Sequence, residues 1–420
     1  MNHSRISKTA ARFIIGASLA LGAATSVQAA IGDWPQWRGP NRDDISTEKG
    51  LLKDWPQSGP PLAWKIKGMG VGYSTVSIAD GKIFTMGDHG DSADVLALDM
   101  TGKQLWTTRI GKAGGSTAAG TRSTPTIDGD RVYALGQFGD LVCLEAGTGK
   151  LVWHKDLRKD LSGDMGGWGY AESPLVDGEK LICTPGGRQG TLAAFDKKTG
   201  NLLWRSKDLT DGAQYTSLVP AEINGTHQYV VLTGASVAGI SLNGKVLWHA
   251  QRKGATAIVP TPIVDGNLVY VSSGYNIGCD LFKITGMGND FEAEHVYHNK
   301  DMIIHHGGLI RVGDYVYGAS DEKRGTLTCM EIKTGKVAWK NKSVGKGSVA
   351  YADDRLYVRS ESTGDLALVE ATPDGYKQHG LLKQPDRSKE KAWAHPVIAG
   401  GKLYLRDIDV LLCYDIKAQS

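Results

Sequence analysis

The sequence has little proline (14 in 420 residues), only five cysteines, and no excess of either charge once its first residues are set aside. Each shortage excludes something. Cys143, Cys183, Cys279, Cys329 and Cys413 are single, widely spaced and odd in number, unlike a disulfide framework. Most stand among apolar neighbours, as in Leu141-Val142-Cys143-Leu144, so they read as small buried hydrophobes, with one disulfide left open. Without Arg5, Lys8 and Arg12 the chain carries 45 basic and 45 acidic residues. A balanced surface gives no long-range field for a polyanion, so nucleic acid is not an expected partner. Long apolar runs are missing as well: residues 13–24 supply about twelve where a bilayer needs about twenty. With the basic residues before it and Val27-Gln28-Ala29 after it, this run reads as a secretory signal peptide ending near Ala29. The general secretory route is implied by the lack of a twin arginine, and no cysteine stands at the cleavage point to carry a lipid anchor. The expectation is an exported chain, periplasmic or secreted, with no membrane span. It divides into a signal peptide (1–29), an N-terminal extension (30–60) and a single domain (61–420).

Glycine is the one residue in surplus: 55, nearly twice the usual share of about 7%. It recurs in a turn with an acidic or amide neighbour at Asp80-Gly81, Asp128-Gly129, Asp177-Gly178, Asn224-Gly225 and Asp265-Gly266. Looser versions follow at Gly313-Asp314, Asp353-Asp354 and Gly400-Gly401, and successive intervals run from 40 to 49 residues. Short apolar or alternating runs flank each turn, which is a hairpin signal because both central residues need φ > 0. A second formula places Gly102, Gly149, Gly200, Gly244 and Gly335 four residues before Trp106, Trp153, Trp204, Trp248 and Trp339. Four strands per period of this length make a propeller blade, and eight turns make eight blades. The fold expected is all-β, an eight-bladed β-propeller of four-stranded antiparallel blades. Its last blade runs out of chain after about three strands, and the N-terminal strand around Pro61-Leu62-Ala63-Trp64-Lys65 is expected to complete it, closing the ring around a hollow hub. Blades 5 and 7 lack the tryptophan, with Val296-Tyr297 and Tyr376 the nearest substitutes.

Ala194-Phe195-Asp196-Lys197-Lys198-Thr199-Gly200 followed by Trp204 resembles the docking motif of pyrroloquinoline quinone (PQQ)-type propellers, and the resemblance runs over essentially the whole mature chain. The opening Trp34-Pro35-Gln36-Trp37-Arg38-Gly39-Pro40-Asn41-Arg42 looks like the start of exported PQQ-like propeller repeat proteins. The resemblance extends to quinoprotein dehydrogenases and to the propeller subunit of outer-membrane β-barrel assembly. It implies the fold and leaves the chemistry open between binding and PQQ- and Ca²⁺-dependent oxidation of alcohols or sugars. The alcohol-oxidising relatives carry a vicinal cysteine pair, and no two cysteines here are adjacent.

Strand order puts the first-to-second and third-to-fourth turns on one face. The other face carries the blade connections and the irregular segments 88–94, 112–120, 158–169, 322–325 and 384–391. Function on a rigid scaffold sits on such loops. The inner strands start there, giving a candidate rim of Arg122, Trp168, Tyr170, Glu172, Tyr215, His305, His306, Lys346, Trp393 and His395, with Tyr73, Gln214 and Ser217 beside them. Packing between blades is the competing reading for each aromatic. His305 and His306 are expected to point to opposite faces of a strand, one to the channel and one into the blade; His395 and Glu172 complete a metal site only if the ring gathers them. Asp407 and Asp409, at a corner of blade 8, are candidates for Ca²⁺ or simply solvated carboxylates. The sequence holds no Gly-x-Ser-x-Gly, His-Glu-x-x-His, Walker loop, dinucleotide fingerprint or Cys-x-x-Cys-His. The expectation is a binding or scaffold protein working through the loop-rich face. Its partner would be an envelope protein, a small molecule or a glycan, with the quinoprotein and polysaccharide-binding readings as alternatives.

Overall fold

The computed structural model describes Met1 and residues 32–419, apart from 116, 289, 323 and 324; the signal peptide expected from the sequence lies, but for Met1, outside the described residues. The repeat folds as expected. Eight antiparallel sheets occupy 77–112, 126–156, 175–205, 219–251, 263–299, 309–341, 347–382 and 397–415, and Leu62–Lys67 pairs with Val410–Asp415 as the outer strand of the last. One short α-helix, Leu157–Leu161, is capped by the Asp156 carboxylate and lies in the blade 2 to blade 3 connection. All five cysteines are buried and free.

The repeated glycine turn takes two forms rather than one. At Asp80-Gly81, Asn224-Gly225, Asp353-Asp354 and Gly400-Gly401 both central residues have positive φ, as a type I′ hairpin requires. In the other four blades Gly129, Gly178, Gly266 and Gly313 are the first central residues and alone have positive φ; in blades 2, 3 and 5 the loop thus begins one residue later in the motif. That is the type II′ requirement, met with glycine first. Segment 88–94 is no irregular loop; the strands Lys82–His89 and Ser92–Asp99 run through it as a tight hairpin.

The second glycine works between blades. A Cβ on Gly149 would meet the Trp106 ring at 2.5 Å, on Gly200 the Trp153 ring at 2.8 Å, and on Gly244 the Trp204 ring at 2.6 Å. Each indole therefore lies on the bare backbone of the next blade and donates its Nε1–H to a carbonyl there, Ala146, Lys197 and Leu242 in turn, at 2.9–3.1 Å. In blade 5 Tyr297 takes the indole's place, with its hydroxyl donating to Ile332 O at 2.7 Å. Tyr376 does not do so in blade 7. The residue at the tryptophan position there is Gly380, paired with Leu368 as Trp339 is with Cys329. Trp55, from the N-terminal extension, lies over Gly380, packs against Tyr357 (centroids 5.9 Å apart) and belongs to the core shared by blades 7 and 8. Tyr376 instead packs on Trp339 and bonds to Ser343 and Gln378.

The hub is not hollow. Residues 34–46 occupy it and touch blades around the ring: Trp34 bridges to Ile78, Ile127 N–H donates to Pro35 O, and Ile45–Ser46 pairs in parallel with Gly347–Ala352. Two buried arginines secure the plug. Arg38 pairs with Asp44 (Nε–Oδ2 2.7 Å) and donates to Leu309 O; Arg42 donates to Ser173 O (2.6 Å) and Pro174 O (3.2 Å).

Candidate functional site

Above the plug, at the loop-rich end of the hub, the inner strand starts leave a cavity of about 310 Å³. Trp37 of the plug closes its base, with Nε1–H donating to Thr261 Oγ1 (3.3 Å) and the ring 4.6 Å from His395. The walls are aromatic: Tyr73, Trp168, Tyr215, Tyr275 and Trp393, with His305 and His306 between the last two. The rings contact one another. Trp393 stacks on His306 (4.0 Å, 19°) and tilts against Tyr73 (4.6 Å); Trp168 meets Tyr215 edge-on (5.9 Å), and Tyr275 meets His305 edge-on (4.4 Å). Trp168 and Tyr275 keep 37% and 39% of their surface exposed, so the mouth of this cup is open and apolar.

Arg122 stands in the wall, 6.0 Å from the Tyr73 ring centre, with its donors directed at the carbonyls of Gly120 (3.2 Å), Trp168 (2.9 Å) and Ala118. It therefore fastens the 112–120 and 158–169 loops together, and Trp168 adds a bond from Nε1 to Thr117 Oγ1 (3.1 Å). Burial lowers the Arg122 pKa and pushes the Tyr73 hydroxyl up to about 12.

Beside the cup, Lys346 bonds to His305 Nδ1 and lies 3.4 Å from Glu361 Oε2 and 3.5 Å from Asp321 Oδ2. His306 Nδ1 is 3.8 Å from the same Glu361 oxygen. Burial, the neighbouring His306 and the Lys346 charge push His305 down to about 3. Burial works to raise Glu361, but His306 and Lys346 outweigh it and hold the carboxyl at about 2. The two histidines do not split between faces. Residues 301–308 precede the strand Leu309–Val312 and lie outside the ladder, so strand alternation does not apply and the rings sit 3.9 Å apart on the same side.

Four of the expected rim residues lie elsewhere or serve the scaffold. Tyr170 is 1% exposed, in the core between blades 2 and 3, and donates to Pro185 O (2.9 Å). Glu172 is equally buried and accepts from Thr184 N–H and, at 2.8 Å, Thr184 Oγ1; burial pushes it up to about 7 against those bonds and the attraction of Arg42. Ala171, between them, is the residue that reaches the cup. His395 lies below, with Nδ1 2.8 Å from Asp44 Oδ2 and Nε2 3.2 Å from His306 O, and so joins the plug to the wall. Lys346 borders the cup without lining it. Asp407 and Asp409 share no cation site. Asp407 is buried, ion-paired with Arg387 (2.6 Å), and accepts from Gln384 and Ser388, while Asp409 accepts from the backbone of Gly68 and Gly70. Arg122, Trp168, Tyr215, His305, His306 and Trp393 do converge. Trp37, Tyr275 and Glu361 are additions. Tyr275 was findable as a large exposed ring at a second-to-third corner, and Glu361 as an acid at another; Trp37 carried no signal of its place.

A PQQ–Ca²⁺ pair requires a free aromatic face, available cations and an adjoining carboxylate. Here Trp393 is stacked by His306, Arg122 is spent on carbonyls, and Glu172, Asp407 and Asp409 lie outside the cup with partners of their own. These residues are engaged with protein partners and do not supply such a pair.

A family model described as outer membrane protein assembly factor BamB matches residues 91–341. The protein of that description from Moranella endobia (strain PCIT) is 25% identical over 239 residues, covering 54% of this chain and 56% of its own length. That from Xanthomonas campestris pv. campestris is 25% identical over 218 residues, covering 51% and 48%. The chain thus spans about half the length of these curated relatives. Among solved structures, BamB from Moraxella catarrhalis superposes with a TM-score of 0.60 at 14% identity, over 86% of this chain and 98% of that one. Quinohemoprotein alcohol dehydrogenase from Comamonas testosteroni gives 0.62 at 14% identity, over 93% and 81%. At such identities the likeness is one of fold.

Proposed function

Starting from the fact that the chain belongs to the PQQ-type propeller family described as outer membrane protein assembly factor BamB, we propose that it is a binding propeller of the cell envelope. It holds a small, flat-faced ligand in the aromatic cup and offers the surrounding loops to an envelope protein. One observation carries the reading: Tyr73, Trp168, Tyr215, Tyr275 and Trp393, drawn from five separate stretches of chain, meet in a single cavity on the hub axis. A ring of blades needs aromatics between its sheets, where Trp106, Trp153 and Trp204 already are; it does not need an open nest of them at one end. Apolar rings around an open mouth suit the faces of sugars or other planar groups, and the Arg122 clasp keeps the rings in place beforehand.

The test is tryptophan fluorescence of the mature chain titrated with muropeptides, with cello-oligosaccharides, and with PQQ plus Ca²⁺. Saturable quenching by a sugar-bearing ligand, lost in W168A and W393A, is the expected result. A quinone absorbance band accompanied by dye-linked alcohol oxidation would move the chain to the oxidoreductase reading. No response from any of the three, together with loss of an envelope partner only on changing the opposite face, would overturn the cup as the binding site.

A further inference from the structure

We propose that His305, His306 and Glu361 form a site for a divalent transition ion, of the kind of Zn²⁺, in the wall of the cup. The site stands whether or not the cup takes an organic ligand. One ring nitrogen of each histidine and one carboxylate oxygen of Glu361 lie within 4.8 Å of one another. Tetrahedral ligands about 2.0–2.1 Å from Zn²⁺ lie about 3.3 Å apart, so side-chain adjustments of about 1 Å close the set. The chemistry of the donors points to the ion. Two imidazoles and one carboxylate suit Zn²⁺ and its neighbours, whereas Ca²⁺ and Mg²⁺ require a shell of oxygens. Three protein ligands leave a fourth position open.

Two further observations favour a ligand here. His305 Nε2 is buried with no hydrogen-bond partner, and the buried His306 Nδ1 has only the Glu361 oxygen at 3.8 Å, beyond hydrogen-bond reach, which is unusual for polar atoms shut away from water and is relieved by coordination. The rings are also held from outside. Tyr275 fixes His305, Trp393 fixes His306, and His395 Nε2 reaches the His306 carbonyl, so orientation does not depend on the ion. A cation already sits close by: the Lys346 ammonium bonds to His305 and lies 3.4 Å from Glu361. A metal must displace it, and Asp321, 3.5 Å from the same ammonium, receives it when it swings aside. Another histidine group, His295 and His298 around Asp280, is unlike this one because Arg252 already neutralises the carboxylate at 2.7 Å.

The experiment is calorimetric titration of the chelator-treated mature chain with Zn²⁺, with Co²⁺ absorption as a second readout of a tetrahedral site. One ion per chain is expected. H306A and E361Q should each weaken it by at least the roughly 10–100-fold that loss of an outer-shell partner costs. K346M should bind about tenfold tighter or better, by removing the competing ammonium, and H295A/H298A should bind as the parent does. Absence of saturable binding by the unaltered chain would overturn the proposal, as would binding that survives both H306A and E361Q or disappears in H295A/H298A. Unchanged affinity in K346M would overturn the displacement step. If E361Q does not fold by circular dichroism, the parent, K346M and H295A/H298A titrations still decide.

Discussion

The two ends of the hub are built from the same eight inner strands and finished in opposite ways. At one end the N-terminal segment enters the axis and occupies it, with Arg38 tied to Asp44 and Arg42 to the carbonyls before blade 3, leaving a second cavity of about 280 Å³ between the plug and the inner strands of blades 4 to 6. At the other the strand starts remain uncovered, lined with aromatic rings and with ring nitrogens that lack hydrogen-bond partners. A propeller hub too wide for its own side chains is occupied in part by the plug, and the aromatic cup remains open at the loop-rich end.

The largest effect expected on this contrast comes from the plug. Arg38→Met leaves the buried Asp44 with His395 as its one remaining side-chain partner, and should cost about 3–5 kcal/mol in urea unfolding; a cost near that of a surface substitution would mean that the plug is not what secures the hub. Trp55→Ala should cost a similar 3–5 kcal/mol by emptying the blade 7 aromatic position. Adding Gly380→Trp should recover part of this, since Gly380 stands where other blades carry the indole; no recovery would break the equivalence. A pH effect comes next. The folded-state pKa of Glu172, near the plug, is raised to about 7 from 4.5. Its stabilising contribution is therefore complete below about 4.5 and fades as pH rises through about 7. The unfolding midpoint of E172Q should gain on the parent between pH 5 and 8, and a flat difference would place the carboxyl in water. The smallest stability effect belongs to the open end: Trp168→Ala, at an already exposed ring, should change stability by less than about 0.5 kcal/mol. A larger loss would make the cup wall part of the scaffold.

The blades were legible because their signals are backbone requirements. Gly129 and Gly178 stand where a II′ turn needs positive φ at its first position, and Gly149 and Gly200 stand where a Cβ would collide with the preceding indole. The cup was half legible. Arg122, Trp168, Tyr215, His305, His306 and Trp393 were found because inner strand starts are countable from the turns. Tyr170 and Glu172 precede the strand Leu175–Asp177, where no alternation fixes a direction, and both turn into the buried core while Ala171 lines the cup. His395 faces Asp44, a partner contributed by a segment whose path through the hub no periodicity announces.

The amino-acid order by itself determined the blade count, the closing strand and the face that carries the loops. The blade count and the loop face depend on near-neighbour turns and a period repeated eight times along the chain, and the closing strand, though its partner Val410–Asp415 lies at the other end of the chain, follows from the strand that the last period lacks. The plug, the stand-in of Trp55 for a missing tryptophan and the meeting of His305, His306 and Glu361 were decided only in three dimensions. They join residues that occur once and lie tens to hundreds of positions apart, and it is closure of the ring that brings such residues to a common axis.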